Sequence, residues 1–423
     1  FHPDNRWGNF WSASAAWIIN RESWFPQNKV VDLLKVKASY GSQGNDKLGG
    51  YTISTYYADM YSISNDGQGG IATIFARKGN KDITWETNGN LNVGVEFGLW
   101  QNRLYGNVDY FYRKTSDMLF NLQVAPSNGY STYYTNIGDM VNQGVEIELG
   151  ADLIRRKNFV WNFGLNGTYY RNKITRLPDQ YKEKTTHDGK LKGYHSGSSF
   201  LAEGESMMQW YIPTYAGVNE NGEATWYAYE TLDDGTKKRY VTNDYNVANQ
   251  YGRELQGDAT PDFYGGFNTS LSFYGVDLSA NFTYQIGGLA YDSGYASLMD
   301  SPQQTSVGFA YHRDLWDAWT PENKTSDIPR FRYNDQYFTS SSSRFLVDAS
   351  YLNIQNITVG YTLPANITRK FLVEKLRVYL ACDNVFYWSR RKGLDPRQSI
   401  SGSTNPYMYA PIRTFSGGVT ITF

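Results

Sequence analysis

The sequence predicts an all-β protein, a transmembrane antiparallel β-barrel to which this chain contributes about eleven strands. Three observations lead there. Apolar and polar residues alternate over long segments. The connections between these segments are alternately very short and very long. Aromatic residues make up 17% of a chain that is polar on average.

The alternation is plainest in Leu91-Asn92-Val93-Gly94-Val95-Glu96-Phe97-Gly98-Leu99, where every odd residue is apolar. It recurs in Val145-Glu146-Ile147-Glu148-Leu149, in Trp161-Asn162-Phe163-Gly164-Leu165-Asn166, and on even positions from Val276 to Tyr284. Successive strand residues point to opposite faces, so each segment has one apolar and one polar face. A soluble sandwich would turn the apolar faces into a core; a membrane barrel turns them to lipid. Segment length favours the barrel, because a tilted spanning strand needs about 9–11 residues. Polar faces rich in Asn, Glu, Gly and Thr suit a wet or plugged interior.

In chain order the strands fall near 9–19, 32–43, 83–100, 103–118, 138–153, 158–174, 262–274, 276–288, 345–363, 374–387 and 411–423. Gln101-Asn102-Arg103, Arg155-Arg156-Lys157 and Tyr274-Gly275 read as tight turns. Between them lie long connections near 44–82, 119–137, 175–261, 289–344 and 388–410. Outer-membrane barrels pair short periplasmic turns with long extracellular loops. On that parity the C-terminus is periplasmic and Phe1–Gly8 are extracellular. An odd count of this kind predicts strands before Phe1, so the chain reads as the C-terminal part of a larger barrel. In Tyr351–Tyr361 the apolar phase slips at Gln355-Asn356, which predicts a β-bulge.

Rings near strand ends, namely Trp11, Trp17, Trp85, Trp100, Tyr105, Tyr274 and Phe415, suit the two interfacial girdles of a barrel. Cys382 keeps phase with Leu376, Val378 and Leu380 and should face lipid as a small apolar residue. As the only cysteine, it rules out a disulfide framework. Formal net charge is −1, with 40 basic and 41 acidic residues, and no basic block points to nucleic acid. The first residue is Phe1, and no signal peptide lies within the sequence.

Several stretches resemble the SusC/RagA family of TonB-linked outer-membrane transporters from Bacteroidota. They are LLKVKASYGSQGN (33–45), ITWETNGNLNVGVEFGLWQNRLYGNVDYFYRKTSDML (83–119), NIGDMVNQGVEIELGADL (136–153), GDATPDFYGGFNTSLSFYGVDLSANFTYQIGG (257–288), SYLNIQNITVGYTLP (350–364) and LRVYLACDNVF (376–386). The resemblance runs along the whole chain in the family's order. It implies a 22-stranded, plugged barrel in the outer membrane of a Gram-negative bacterium, with residues 1–423 forming its C-terminal half. It also implies active import of an oligosaccharide, or less often a peptide. Expected partners are a SusD-like surface lipoprotein and, through an N-terminal plug region outside this sequence, TonB-ExbB-ExbD. A passive porin and a soluble glycan-binding β-protein are the competing readings.

Chemistry-bearing motifs are sparse, and no enzyme activity or cofactor is expected. His2, His187, His195 and His312 lack metal-ligand spacing, and the loop pair His187/His195 reads as solvated. Asp233-Asp234 beside Gly235 reads as a hairpin tip, and Asp258 and Asp262 around Pro261 as turn residues. The loop aromatics are more informative. Trp210, Tyr211, Tyr215, Trp226, Tyr227 and Tyr229 cluster in one long loop, and Tyr311, Trp316 and Trp319 in another. Sugar C–H faces stack on such rings, so Trp226, Tyr227, Trp316 and Trp319 are the candidate substrate-binding residues. The competing role for each ring is packing of the loops themselves. The terminal strand ends on Phe423, which the resemblance marks as an assembly signal for outer-membrane insertion.

Overall fold

The computed structural model describes residues 1–423 except 27, 48–55, 66, 68–69 and 304–307. Those gaps lie in the connections between strands, so parts of the long loops expected near 44–82 and 289–344 lie outside the described residues. Eleven strands form one antiparallel sheet in strict sequence order. They are β1 (Trp11–Ile18), β2 (Val31–Asn45), β3 (Glu86–Leu99), β4 (Leu104–Ser116), β5 (Asp139–Arg156), β6 (Phe159–Arg176), β7 (Phe263–Phe273), β8 (Val276–Ile286), β9 (Tyr351–Thr362), β10 (Lys375–Ser389) and β11 (Thr414–Thr422). Every strand expected from the alternation is present. Among the described residues no pairing joins β1 to β11, so the sheet is an open wall.

Register carries the alternation across the wall. Val93 pairs with Tyr110, Val95 with Val108, Leu271 with Trp161 and Val359 with Leu278. One face is thereby predominantly apolar through the middle of the wall, with Lys114, Gln143, Arg171 and Lys173 in the same phase toward the long-loop end. Phe267 stacks on Phe282 there, with centroids 4.3 Å apart. Polar groups on the other face satisfy one another: Lys35–Glu96 at 3.0 Å, Lys37–Asp109 at 2.9 Å and the Arg377–Asp277 pair. All three pairs are partly exposed and fall on the lumenal face.

Gln355 is a true bulge residue. Phe282 pairs with Ile354 and Asn281 with Asn356, so Gln355 has no counterpart on β8. On β10 the matching irregularity includes Asn384, whose φ is +52°. The two shifts keep Leu352, Ile354, Phe386 and Trp388 on the lipid face with Ile357 and Val359.

The parity of the connections holds. Segments 19–30, 100–103, 157–158, 274–275 and 363–374 lie at one end; the longer 46–85, 117–138, 177–262, 287–350 and 390–413 lie at the other. Two expectations need correction. Arg155 and Arg156 belong to β5, and the turn is Lys157-Asn158. Tyr105 pairs with Gly150 and shares the face of Asn107 and Asp109, so it is lumenal, not part of a girdle. Its ring fills the space a Cβ at Gly150 would need. Trp11, Trp17 and Phe415 do take the lipid face, and Cys382 pairs with Phe415 and Ile357 on that face. Tyr274-Gly275 has φ +47° and +90°, the double left-handed geometry of a tight hairpin turn.

Candidate functional site: the loop platform and the lumenal cleft beneath it

The two longest loops are folded structures. Segment 177–262 holds a five-stranded sheet and a three-stranded sheet, with a short helix at Tyr245–Tyr251. Alternating small and large residues in Ala224-Thr225-Trp226-Tyr227-Ala228 build its core. Trp226 is 1% exposed and packs with Ala224 and Ala248 against Tyr215, Tyr245 and Tyr337. Tyr337 belongs to the 287–350 loop, so this core is shared. Hydrogen bonds fasten the same seam: Tyr215 Oη to Asp327 O at 2.7 Å, Tyr245 Oη to Ser341 O at 2.8 Å, and Arg330 N to Gly222 O at 2.8 Å. Gly222 has φ +78°, and a Cβ there would strike the Trp319 ring at 2.4 Å.

The four candidate rings therefore do not form one site. Trp226 is sealed in the core, where no cargo ring reaches it. Tyr227, on the other face of the same strand, lies under the Arg239 guanidinium, 3.4 Å from its ring centroid. Trp319 covers Gly222. Trp316 alone stands free, at 91% exposure. Phe423 follows β11 in the lipid-facing phase and is exposed. The turn reading holds for Asp234 and Asp258, while Asp262 is taken up by an ion pair. Asp234 accepts from the Thr236 amide, Asp258 accepts from the Thr260 amide, and Asp262 pairs with Arg171 at 2.7 Å.

His187 and His195 are not simply solvated. Both lie against the Tyr211 ring, at 6.0 and 5.8 Å between centroids. His195 Nε2 meets an Arg253 Nη1 that also donates to Gly197 O, and Arg253 Nε donates to Asn249 O. Burial lowers both histidine pKa values, and the Arg253 charge lowers them further. Lys237 faces His187 and Lys184 faces His195 as further cations, opposed by Asp188 beside His187. Burial also pushes the Tyr211 hydroxyl up to about 12. A depressed histidine pKa means that the folded loop binds fewer protons than the unfolded one. Stability is then present above the ordinary pKa near 6.5 and is lost as pH falls through it toward the lowered value. Amide exchange in the hairpin Lys192–Ala202 should therefore accelerate between pH 7.5 and 5, after correction for intrinsic rates. His187→Gln with His195→Gln should flatten that response, and an unchanged profile in the double variant would contradict this origin.

Below the platform, on the lumenal face, lies a cleft of about 470 Å³. Tyr170 of β6, Tyr264 of β7, Gln285 of β8 and Tyr351 of β9 form its wall side, and residues 259–261 and 396–402 its rim. Arg397 borders it, fixed by Asp395 at 2.8 and 2.6 Å and lying over Tyr387 and Tyr351. With its amide oriented to satisfy both ends, Asn353 accepts from Arg397 at 2.9 Å and donates to Phe386 O. The sequence reading missed this cleft. Its signal is a tyrosine in the polar phase of a strand: Tyr170, Tyr264 and Tyr351 stand where Asn, Gly or Ser is the rule. Among the described residues, no group of three metal-ligating side chains converges, and no helix is long and apolar enough to cross a membrane.

An open, in-order wall with lipid on one face and a polar interior on the other restricts the family sharply. Residues 1–274 match the family model for the TonB dependent receptor-like β-barrel. The chain belongs to that family. Over its whole length this receptor barrel is 27% identical to TonB-dependent receptor P3 of Formosa agariphila and 26% identical to TonB-dependent receptor SusC of Bacteroides thetaiotaomicron. It covers 42% and 41% of those proteins, so it spans about two fifths of their length. In three dimensions all of it superposes on 44% of a chain in the structure of the RagAB peptide transporter, with TM-score 0.82 and 25% identity. It is thus part of an outer-membrane receptor barrel of SusC/RagA type.

Proposed function

We propose that the chain forms the C-terminal part of the wall and the outer loops of a TonB-dependent importer of oligosaccharides, a non-enzyme whose work is binding and passage. The observation that carries this reading is the tyrosine-walled cleft on the lumenal face, directly beneath an ordered platform of long loops. Three rings of Tyr170, Tyr264 and Tyr351 with the Gln285 amide suit sugar faces and hydroxyls. The exposed Trp316 ring offers a first contact, to cargo or to a SusD-like lipoprotein seated on the platform. A plug domain and the TonB-contacting segment would be supplied from outside residues 1–423, completing a barrel of about 22 strands.

In the full receptor, Tyr170→Ala with Tyr264→Ala should weaken oligosaccharide binding about 3- to 10-fold without changing assembly, as expected from lost ring stacking. Isothermal titration against an oligosaccharide panel measures this, and unchanged affinity for every bound sugar would sink the cleft as a cargo site. A second reading, peptide cargo, is favoured by the superposition on the RagAB peptide transporter. Saturable binding of a peptide mixture with no response to sugars would select it. Phe423 is proposed as an assembly signal. Its deletion should lower the amount of folded receptor at the surface more than it lowers cargo affinity, and equal surface levels would reduce it to a girdle ring.

A further inference from the structure

At the opposite end, between the 19–30 connection and the 100–103 turn, lies a shallow cleft of about 640 Å³, wide open to its surroundings and lined by Lys29, Trp100, Gln101 and Arg103. We infer that this cleft is a binding site for the phosphate headgroup of an anionic phospholipid in the leaflet at the short-turn end.

The local backbone is built to present these side chains. Trp100, Gln101 and Asn102 all take positive φ, at +55°, +61° and +54°. Three consecutive left-handed residues that carry side chains are unfavourable and persist only when held. Trp100 N donates to Val30 O at 2.7 Å, which ties the turn to the neighbouring connection. Asn102 N donates to Asp32 at 3.0 Å, which engages the nearby carboxylate. On the facing side, Asn28 Oδ1 accepts from the amides of Val30 and Val31 and fixes the bend that carries Lys29.

The charges are left open. Among the described residues, neither Lys29 nor Arg103 has a carboxylate within 4.0 Å, whereas three ion pairs close the lumenal face. Both are exposed, as are Arg156, Lys157 and Lys370 elsewhere at this end. The depth also fits. Trp100 follows Leu99 of the lipid-facing phase, and Trp17, Trp24 and Tyr274 are exposed at this same end of the wall. An indole beside two unpaired cations at an interfacial belt matches a lipid with an apolar tail and an anionic head. A soluble acidic protein would not need the aromatic level. Free phosphate would not need the indole.

The test uses the full-length receptor in neutral detergent, titrated with phosphatidylglycerol or phosphatidylcholine and read by native mass spectrometry. Wild type should retain phosphatidylglycerol in preference to phosphatidylcholine, a comparison that requires no variant. Lys29→Gln with Arg103→Gln should weaken that retention roughly twentyfold, from two cations near a lipid surface. Arg156→Gln, outside the cleft, should change it little. Heat-modifiable gel migration confirms that each variant is folded. Equal retention of the two lipids would overturn the proposal, as would undiminished retention in the double variant. Displacement of the lipid by millimolar inorganic phosphate would also overturn it, by showing a free-phosphate site.

Discussion

Replacing Trp226 by alanine should unfold the outer-loop platform while leaving the eleven-strand wall assembled. The ring is 1% exposed, and truncation of a fully buried aromatic costs about 3–5 kcal/mol. That loss falls on a small satellite core of Ala224, Ala248 and three tyrosines, which has little reserve. The seam to the 287–350 loop should open with it, because Tyr337 and Tyr245 lose the surface they pack on. Limited proteolysis within 177–262 should rise sharply, while heat-modifiable migration, which reads the wall, should stay normal. The indole N–H has no partner in this core. Trp226→Phe removes that orphan donor and keeps most of the volume, so it should cost only about 1–2 kcal/mol. Cargo binding should follow the same order, lost with alanine and largely kept with phenylalanine. Wild-type protease resistance in the alanine variant would show that the ring is not structural.

The contrast between Trp226 and Trp316 shows where sequence reading stops. Both are loop tryptophans with an alanine two residues away, Ala224 and Ala228 beside Trp226 and Ala318 beside Trp316, and that local pattern does not separate a core ring from a free one. Trp226 is buried because Tyr337, more than a hundred residues on, closes over it. The wall was legible for the opposite reason. Lipid and lumen impose a period of two on each strand independently of its partners, so alternation alone placed all eleven strands. The cleft lies between these cases. Tyr170, Tyr264 and Tyr351 were visible as rings in the wrong phase, but only the sheet order brings β6, β7, β8 and β9 side by side. Arg397 arrives from the 390–413 loop, which carries no periodic signal. Tyr105 misled because a ring near a strand end is ambiguous until its pairing with Gly150 fixes the face.

Deleting Gln355 should block assembly of the barrel, whereas Gln355→Gly should be tolerated. The distinction follows from register. Gln355 is an extra residue between two correctly faced halves of β9, and its own side chain is not what keeps them in phase. Without it, Tyr351 and Asn353 would turn toward lipid, and Leu352 and Ile354 toward the lumen, because a one-residue slip exchanges the two faces of a strand. Asn353 would lose its bonds to Arg397 and Phe386, and an unpartnered polar group in hydrocarbon costs on the order of several kcal/mol. The alternative, keeping residues 351–354 in place, would tear the 356–362 half from its pairs with β8 and β10. Glycine retains the extra backbone unit and suits a bulge. Surface labelling and heat-modifiable migration of the receptor should therefore be near normal for the glycine variant and strongly reduced for the deletion. A deletion variant that assembled at wild-type yield and kept its cleft tyrosine Tyr351 accessible from the lumen would show that β9 can absorb the slip at its loop end.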